Sequence, residues 1–339
     1  MTVAKTKTKM RVLVTGGAGY VGSVVTEELV ASGAEHVVVL DDLSKGHAGA
    51  VFAPAVLVKG DFADAALVGK LCKEERIDAV VHMAAASLVG ESVTNPAKYF
   101  HHNIAKGLVL LDALRGAGVS RFVFSSTAAL FGEPERTPID ETVATNPTNP
   151  YGESKLGFEK ALKWYGNAYG LSSVCLRYFN AAGATERNGE QHEPETHLIP
   201  LVLEVARGKR ESVQIYGDDY PTADGTCIRD YIHVTDLARA HVLALSHLMG
   251  GGESTQFNLG CGGGFSVKQV IESARKVTGH AIPSKTVPRR AGDPAVLVAS
   301  SQRIQQQLGW KPEKESLDAI IGDAWRWLSA HPNGYGDHS

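Results

Sequence analysis

Residues 11–23 read RVLVTGGAGYVGS, an apolar β-branched run that leads directly into a turn containing Gly16, Gly19 and Gly22. A strand that enters such a turn and continues as a helix is typical of dinucleotide-binding units, although an ordinary strand-to-helix turn also fits. We expect Gly16 to form the tight turn, Gly19 to let a pyrophosphate approach and Gly22 to let the helix pack closely. The first helical turn would add Tyr20 and Val21 to the cofactor contacts.

Five more short β-branched runs alternate with helix-length amphipathic segments, at 37–42, 55–61, 79–85, 121–126 and 172–178. Near-continuous apolar strands are typical of a parallel sheet covered on both faces. We predict a doubly wound α/β fold, with a flexible tail at 1–10, a Rossmann domain at 11–180 and a smaller mixed α/β lobe at 181–339. Residues 228–250 could return to the Rossmann domain. Further helices are predicted at 197–207, 235–248, 266–278 and 317–328.

Composition excludes several classes of protein. The 339 residues are 43% hydrophobic, with 34 basic against 37 acidic side chains, so disorder and polyanion binding are disfavoured. Three lysines near the start could form a nucleic-acid arm, but a frayed terminus is commoner.

The four cysteines are widely separated, and neither they nor the histidines show metal-ligand spacing, so we expect no metal. The sequence has no membrane-length apolar run, and we expect a reducing, cytoplasmic location.

Acidic residues follow the second and third predicted strands. Asp41 lies about 20 residues after Gly22, where a carboxylate binds both ribose hydroxyls of NAD and repels the extra phosphate of NADP. A solvated strand end is the alternative for Asp41 and Asp42. We predict NAD as the cofactor, with Asp61 and Phe62 beside its adenine, because ligands of such sheets lie over the carboxyl ends of the strands. From the end of the fourth strand, the contacts would be Met83, Ala84 and Ala85.

The segment NPYGESK at 149–155 places Tyr151 and Lys155 four residues apart at a predicted helix start. This spacing puts both side chains on one helix face, where the ammonium would favour the phenolate and let Tyr151 accept a proton. Thr127, at the end of the fifth strand, could hydrogen-bond the same substrate oxygen. This tyrosine–lysine spacing is common by chance, but here it follows a complete dinucleotide-binding half. The three side chains predict alcohol oxidation.

Several longer motifs are more specific than the glycine turn: FSSTAALFGE (124–133), RYFNAAGA (177–184), YGDDYPTADGTCIRDYIHV (216–234), FNLGCGGGFSV (257–267) and RRAGDPA (289–295). With NPYGESK, they make nearly the whole chain resemble the extended short-chain dehydrogenase/reductases, and within them the UDP-glucose 4-epimerases. The resemblance implies NAD-dependent C4 epimerisation of UDP-galactose and UDP-glucose through a 4-keto intermediate. It also implies that NAD is retained, and that UDP-N-acetylhexosamines are further candidate substrates.

The resemblance also assigns roles to residues of this chain. It implies that Tyr151 is the base, that Lys155 is its partner and a ribose ligand, and that Thr127 is the accompanying hydroxyl. The residues that it places beside the nicotinamide are Ser125, Tyr178 and Phe179. The residues that it implies for the UDP-sugar are Asn180, Leu198 and Tyr216, with Arg229 and Arg290 on the diphosphate and Asp293 on the uridine ribose.

Three positions depart from the family pattern. Ser87 is predicted to contact the cofactor, but it stands where some members carry a lysine beside the cofactor diphosphate. The positive charge of that lysine is therefore missing in this chain. His102 stands where asparagine is frequent, and an imidazole reproduces only part of the hydrogen bonding of an amide. Leu297 aligns with a position whose bulk governs the acceptance of N-acetylated sugars. A side chain smaller than tyrosine leaves more room there.

Other functions remain open at this point. A 4,6-dehydratase is disfavoured because Thr127 is followed by Ala128 and Ala129 rather than by an acid–base pair. A UDP-uronate or UDP-pentose 4-epimerase would use the same machinery. A catalytically inactive NAD-binding regulator is the alternative from another class. The resemblance also implies a homodimer paired through helices within 96–117 and 151–169.

Overall fold

The computed structural model describes residues 10–290 and 293–336. A seven-stranded parallel sheet forms its centre, with the strand order β3-β2-β1-β4-β5-β6-β11. Chain order reverses between β1 and β4, which is where ligands of such sheets bind. The strands of the described residues are β1 (Arg11–Thr15), β2 (His36–Asp41), β3 (Val56–Lys59), β4 (Ala79–His82), β5 (Arg121–Thr127), β6 (Ser172–Tyr178), β7 (Asn180–Ala182), β8 (Val213–Tyr216), β9 (Ile228–Arg229), β10 (Tyr231–His233), β11 (Thr255–Leu259), β12 (Phe265–Ser266), β13 (Ser284–Val287) and β14 (Val296–Leu297).

Helices cover both faces of this sheet. The α-helices of the described residues are α1 (Tyr20–Ala31), α2 (Ala65–Glu74), α3 (Val89–Thr94), α4 (Pro96–Phe100), α5 (Lys106–Ala117), α6 (Pro150–Tyr169), α7 (Leu198–Ala206), α8 (Val234–Met249), α9 (Val267–Thr278), α10 (Gln302–Leu308) and α11 (Leu317–Ala330). Helices α1 and α8 share one apolar cluster with the sheet, whereas α2, α5 and α6 share another. Two covered faces explain why the strands are continuously apolar rather than alternating.

A second layer forms from the later part of the chain. Helices α7, α9 and α11 share an apolar core that includes Val213, Ile215 and Tyr231. Three small sheets accompany them: β8 with β13, β7 with β10, and β9 between β12 and β14. The last of these is held by Ile228 and Arg229, which pair with β12 on one side and β14 on the other. This layer brings arginine and carboxylate side chains of the later motifs together.

The doubly wound fold and the four predicted C-terminal helices are confirmed, with boundaries that shift by one or two residues. The predicted third and fourth strands are too long, because they end at Lys59 and His82. Strand β11 was missed altogether. Residues 1–9 of the predicted tail lie outside the described residues, but Met10 is buried, and its carbonyl accepts the Glu35 amide at 2.9 Å, so its assignment to the tail is wrong. Within the described chain, every helix is too short or too polar to cross a bilayer.

Candidate functional site

The glycine turn lies between β1 and α1. Gly16 has φ +73°, and a Cβ there would stand 2.4 Å from the Ala84 nitrogen, while a Cβ on Gly22 would stand 2.1 Å from the Gly16 carbonyl oxygen. The chain itself therefore requires both glycines. A Cβ on Gly19 would have its nearest contact at 3.5 Å, so the space above Gly19 is free for a ligand. Helix α1 begins there without a side-chain cap, which leaves its first N–H groups for an anion.

Tyr20 differs from the sequence expectation. Its side chain is buried, and its hydroxyl donates to the Gly183 carbonyl at 2.7 Å. Burial, and then the charge of Glu190, raise the pKa of this phenol. Tyr20 can therefore meet a cofactor only through its backbone, and the same holds for Val21, whose side chain packs against the apolar core.

The carboxylate of Asp41 faces the glycine turn at the end of β2. Its two oxygens accept the backbone amides of Ala18 and Leu43, each at 2.9 Å, and burial raises its pKa. Each oxygen keeps a lone pair for a hydroxyl. Asp42 is exposed, and one of its oxygens accepts both the amide and the hydroxyl of Ser44, as a solvated strand end would. Only Asp41 of this pair fits the predicted ribose contact.

Asp61 and Phe62 follow β3 at the same edge of the sheet. An oxygen of Asp61 lies 2.5 Å from the Lys106 ammonium. Partial burial raises the pKa of Asp61, but the Lys106 ammonium outweighs it and leaves the pKa below its usual range. The Phe62 ring is buried edge-on against His82 and His102, with centroids 5.1 and 5.3 Å away. Burial lowers the pKa of His102, so this ring offers a neutral imidazole.

Helix α6 presents the tyrosine and the lysine to the end of β5. Its start is fixed by Asn149, whose side chain accepts the Gly152 amide at 2.9 Å. Lys155 is 2% exposed, and its ammonium donates to the Ser125 carbonyl at 2.8 Å. Thr127 accepts the Ala129 amide at 3.1 Å, which leaves its hydroxyl hydrogen free. That hydroxyl contacts the Tyr151 oxygen, so the structure brings together the three predicted catalytic side chains.

The pKa values in this group are governed by burial. Burial lowers the pKa of Lys155 to about 7, and the carboxylate of Glu159 only partly offsets that effect. Burial also raises the pKa of Tyr151, although the hydrogen bond from Thr127 lowers it. The expectation that Lys155 lowers the pKa of Tyr151 is wrong for the chain by itself. The lysine is partly neutral, and its ammonium points to Ser125, 6.0 Å from the tyrosine ring centroid.

The residues expected beside the nicotinamide line the neighbouring strand ends. The hydroxyls of Ser125 and Tyr178 share a short hydrogen bond, and burial raises the pKa of Tyr178. Phe179 packs together with Leu297 against a separate apolar cluster. That cluster contains Leu130, Phe131, Ile139, Val143 and Leu156. Leu297 therefore lies close to the turn that follows Thr127, and its contact with the sugar stays a prediction.

Charged residues of the second layer meet in two pairs. Arg229 forms an ion pair with Asp293, and the guanidinium of Arg290 stacks 3.9 Å from the Tyr216 ring centroid. A cavity of about 570 Å³ lies beside them, lined by Arg136, Arg290 and Asp293 among others. Guanidinium groups match phosphate oxygens in fork geometry. The sequence did not reveal this ion pair, because its two residues are far apart in the chain. The pair means that Arg229 already has a carboxylate partner within the chain.

The other predicted substrate residues occupy the junction of the two layers. The side chain of Asn180 donates to the Asp230 carbonyl at 2.8 Å, which leaves its amide oxygen for a ligand. Leu198 is the first residue of α7 and packs against the core of the second layer.

Ser87, a predicted cofactor contact, is exposed beyond the end of β4. It supplies no charge, so any anion beside it must be bound by other groups.

The sequence that forms this site matches a known family. Residues 12–260 match the NAD dependent epimerase/dehydratase family. The chain belongs to this family. It is 55% identical, over 96% of its length and 98% of the relative, to a UDP-glucose 4-epimerase of Halalkalibacterium halodurans.

Solved structures agree with this membership. A crystal structure of a UDP-glucose 4-epimerase superposes with a TM-score of 0.94 at 50% identity, covering 96% of this chain and 100% of the other. The UDP-glucose 4-epimerase from Brucella ovis, solved in complex with NAD, gives 0.91 at 46% identity, covering 93% and 97%. The family resemblance inferred from the motifs is confirmed.

Sequence reasoning missed Asn103, which holds the cofactor edge of this epimerase/dehydratase fold together. It lies in a π-helical turn, His101–Ala105, between α4 and α5. Its side chain accepts the Ala86 amide at 2.9 Å and donates to the Ala86 carbonyl at 3.0 Å and to the Ser154 hydroxyl at 2.9 Å. One amide thus ties the loop after β4 to helix α6. The prediction named the neighbouring His102 instead. Only the structure shows that Asn103, and not His102, points towards the interior.

Four side chains of the described residues form a candidate metal-binding group that the sequence spacing did not predict. Glu190, His192, Glu195 and His197 bring one ligand atom each within 4.8 Å of one another. They lie in a loop without regular periodicity, which sequence spacing could not resolve. This group is called the His/Glu cluster below.

Proposed function

We propose that the chain catalyses the NAD-dependent C4 epimerisation that interconverts UDP-galactose and UDP-glucose. One observation carries the chemistry: Tyr151 and Thr127 are in contact above a buried Lys155, at the strand ends next to the glycine turn. The family membership and the high identity to UDP-glucose 4-epimerases support the substrate class. The glycine turn and Asp41 fit NAD, because the turn leaves space above Gly19 and the carboxylate keeps lone pairs for ribose hydroxyls.

When bound, NAD would supply the hydride acceptor and donor for C4 of the sugar. The phenol oxygen of Tyr151 takes the proton of the sugar O4 and later gives it back. Thr127 donates its free hydroxyl hydrogen to the same oxygens and so helps Tyr151 to carry negative charge. Lys155 binds the nicotinamide ribose, and in the complex with NAD its ammonium acts as the electrostatic partner of the phenol. Its ammonium already donates to Ser125, which fixes its position.

The second layer binds the nucleotide while the 4-keto sugar rotates. Arg229 and Arg290 bind the diphosphate, and Asp293 accepts hydrogen bonds from the uridine ribose. Asn180, Leu198 and Tyr216 add contacts to the nucleotide sugar. Because these contacts lie on the UDP part, the 4-keto sugar can rotate about the diphosphate linkage and present its other face. Presentation of the other face would account for inversion of the configuration at C4.

The test is a discontinuous assay on purified protein without added NAD. The protein is incubated with UDP-galactose, the reaction is quenched, and UDP-glucose is quantified by anion-exchange chromatography. We expect conversion up to equilibrium, with NAD still bound after gel filtration. Absence of conversion, also with NAD added, would contradict the proposal.

Leu297 leads to a second substrate proposal. We infer that UDP-N-acetylglucosamine is also epimerised, because Leu297 is smaller than tyrosine and lies on the apolar cluster with Phe179. The experiment compares UDP-N-acetylglucosamine and UDP-galactose with equal amounts of wild-type and Leu297→Tyr protein. We expect the variant to lose the N-acetylated substrate selectively. Normal UDP-galactose turnover without any UDP-N-acetylglucosamine turnover in the wild type would contradict this inference.

We also propose that the chain forms a homodimer through α4, α5 and α6. Large apolar side chains on these helices are exposed, with Trp164 at 67%, Tyr169 at 56%, Phe100 at 42% and Val109 at 39%. An apolar patch on neighbouring helices is typical of an interface between subunits. Light scattering after size exclusion should give twice the chain mass, and Trp164→Lys should lower it. A monomeric wild type would contradict the proposal.

A further inference from the structure

The His/Glu cluster lies outside the epimerisation site. Its loop passes behind the glycine turn, where the His192 ring lies edge-on to Tyr20 at 6.3 Å between centroids, and it leads directly into Leu198 at the start of α7. A large cavity of about 1170 Å³ borders it. The cluster therefore connects the two layers of the fold without contributing to the proposed proton transfer.

The donor atoms converge as a metal ion would require. The His197 Nδ1 lies 2.9 Å from oxygens of both Glu190 and Glu195, and the His192 Nδ1 lies 3.2 and 3.7 Å from oxygens of the same two carboxylates. Ligands about 2.0–2.1 Å from a tetrahedral Zn²⁺ are roughly 3.4 Å apart, which falls within this spread. Two imidazoles and two carboxylates are a donor set suited to zinc, and a divalent ion would replace the protons of the two imidazoles and balance the two carboxylates.

The histidines and carboxylates of this cluster also pair with one another in the absence of an ion, but this pairing is incomplete. The His192 Nδ1 is buried without an aligned hydrogen-bond partner in the described part of the chain, although carboxylate oxygens surround it. The side chains of Glu190 and Glu195 are only 9% and 7% exposed. Among the described residues, neither carboxylate has a lysine or arginine partner, and the nearby Lys45 donates to the Glu193 carbonyl instead. Buried carboxylates usually have such partners or bind metals.

We propose that Glu190, His192, Glu195 and His197 form a structural binding site for a divalent transition-metal ion of the zinc class. Both imidazoles offer Nδ1, and Glu190 offers an oxygen that already faces both rings. Glu195 offers the oxygen nearest His192, because its other oxygen accepts the amides of Thr196 and His197. The half-exposed side chain of His197 gives the ion a path from solvent. The bound ion would fix the loop that leads into α7.

The test uses the full chain without a histidine tag, treated with a chelator and then titrated with Co²⁺ as a spectroscopic probe. We expect one Co²⁺ per chain, with the visible absorption of tetrahedral coordination, and its displacement by Zn²⁺. Glu190→Gln and His192→Gln should weaken binding at least about 10-fold, since even outer partners of metal ligands cost that much. His280→Gln, an exposed histidine outside the cluster, is the matched control and should bind like the wild type.

Two results would overturn the proposal: the absence of a tetrahedral Co²⁺ band, or a band that both cluster variants retain. If the variants do not fold, X-ray absorption of the zinc-loaded wild type decides. Four nitrogen or oxygen ligands including two imidazoles support the site, and a shell of oxygens alone contradicts it.

Discussion

Replacement of Lys155 by methionine should strongly reduce turnover and stabilise the nucleotide-free chain. Lys155 is 2% exposed, and burial lowers its pKa from 10.5 to about 7. At about 1.4 kcal/mol per pKa unit, the charged side chain costs the folded chain about 5 kcal/mol. Methionine has a similar size and carries no charge. The Ser125 carbonyl loses its hydrogen-bond donor in the variant. This loss costs about 1–3 kcal/mol and reduces the stabilisation that methionine gives.

The pH dependence isolates the charge from other effects of the substitution. Between pH 7 and 10.5 the unfolded chain binds the Lys155 proton more tightly than the folded chain, so the stability of the wild type rises with pH in this window. The cost falls from about 4 kcal/mol at pH 7 to about 2 kcal/mol at pH 9. Because methionine does not titrate, the advantage of Lys155→Met should shrink by about 2 kcal/mol over the same range.

Urea unfolding followed by circular dichroism at pH 7 and pH 9 measures this difference. Lys160→Met, an exposed lysine on the same helix, serves as the control and should change the unfolding free energy by less than about 0.5 kcal/mol. Turnover of UDP-galactose by Lys155→Met should fall about 10²- to 10⁴-fold. The reasoning is refuted if Lys155→Met differs from the wild type by the same free energy at both pH values.

Two further predictions concern the glycine turn and the packing of the catalytic helix. Gly19→Ala should leave the melting temperature unchanged but reduce NAD affinity about 10-fold or more, whereas Gly22→Ala should lower both, because its Cβ would meet a backbone oxygen at 2.1 Å. Thermal melting and NAD release measure the two effects, and a normal melting temperature for Gly22→Ala would contradict the argument. Arg177→Met should lower the unfolding free energy in urea by about 3–5 kcal/mol, because it leaves the buried Glu159 carboxylate unpaired. Adding Glu159→Met should restore most of that loss, and a loss below about 1 kcal/mol in the single variant would count against it.

The sheet was predictable because most of its strands are buried on both faces and therefore read as continuous apolar runs. Strand β11 was missed because its sequence, TQFNL, contains polar residues and its pairing with β6 joins distant parts of the chain. Strands of two residues, such as β9 and β14, are too short to show a repeating hydrophobic pattern. They form because the second layer brings them together.

The candidate site was predictable where function depends on local spacing. Tyr151 and Lys155 are one helical turn apart, and Gly16 and Gly22 lie at fixed offsets in one turn. The environment of these residues was not predictable. The lowered pKa of Lys155 comes from burial under other elements, and the Arg229–Asp293 pair joins residues far apart in the sequence. Such effects depend on tertiary contacts that no sequence window contains.

The central claim is that Tyr151 moves the proton of the sugar O4, and the most direct test is UDP-galactose turnover by Tyr151→Phe. This substitution removes one oxygen and keeps the aromatic ring that packs against Tyr99. Wild type and variant, each with the NAD it retains after purification, are compared by nuclear magnetic resonance of the sugar signals. We expect a turnover about 10²- to 10⁴-fold lower, with unchanged NAD content and melting temperature. Turnover equal to that of the wild type would contradict the account.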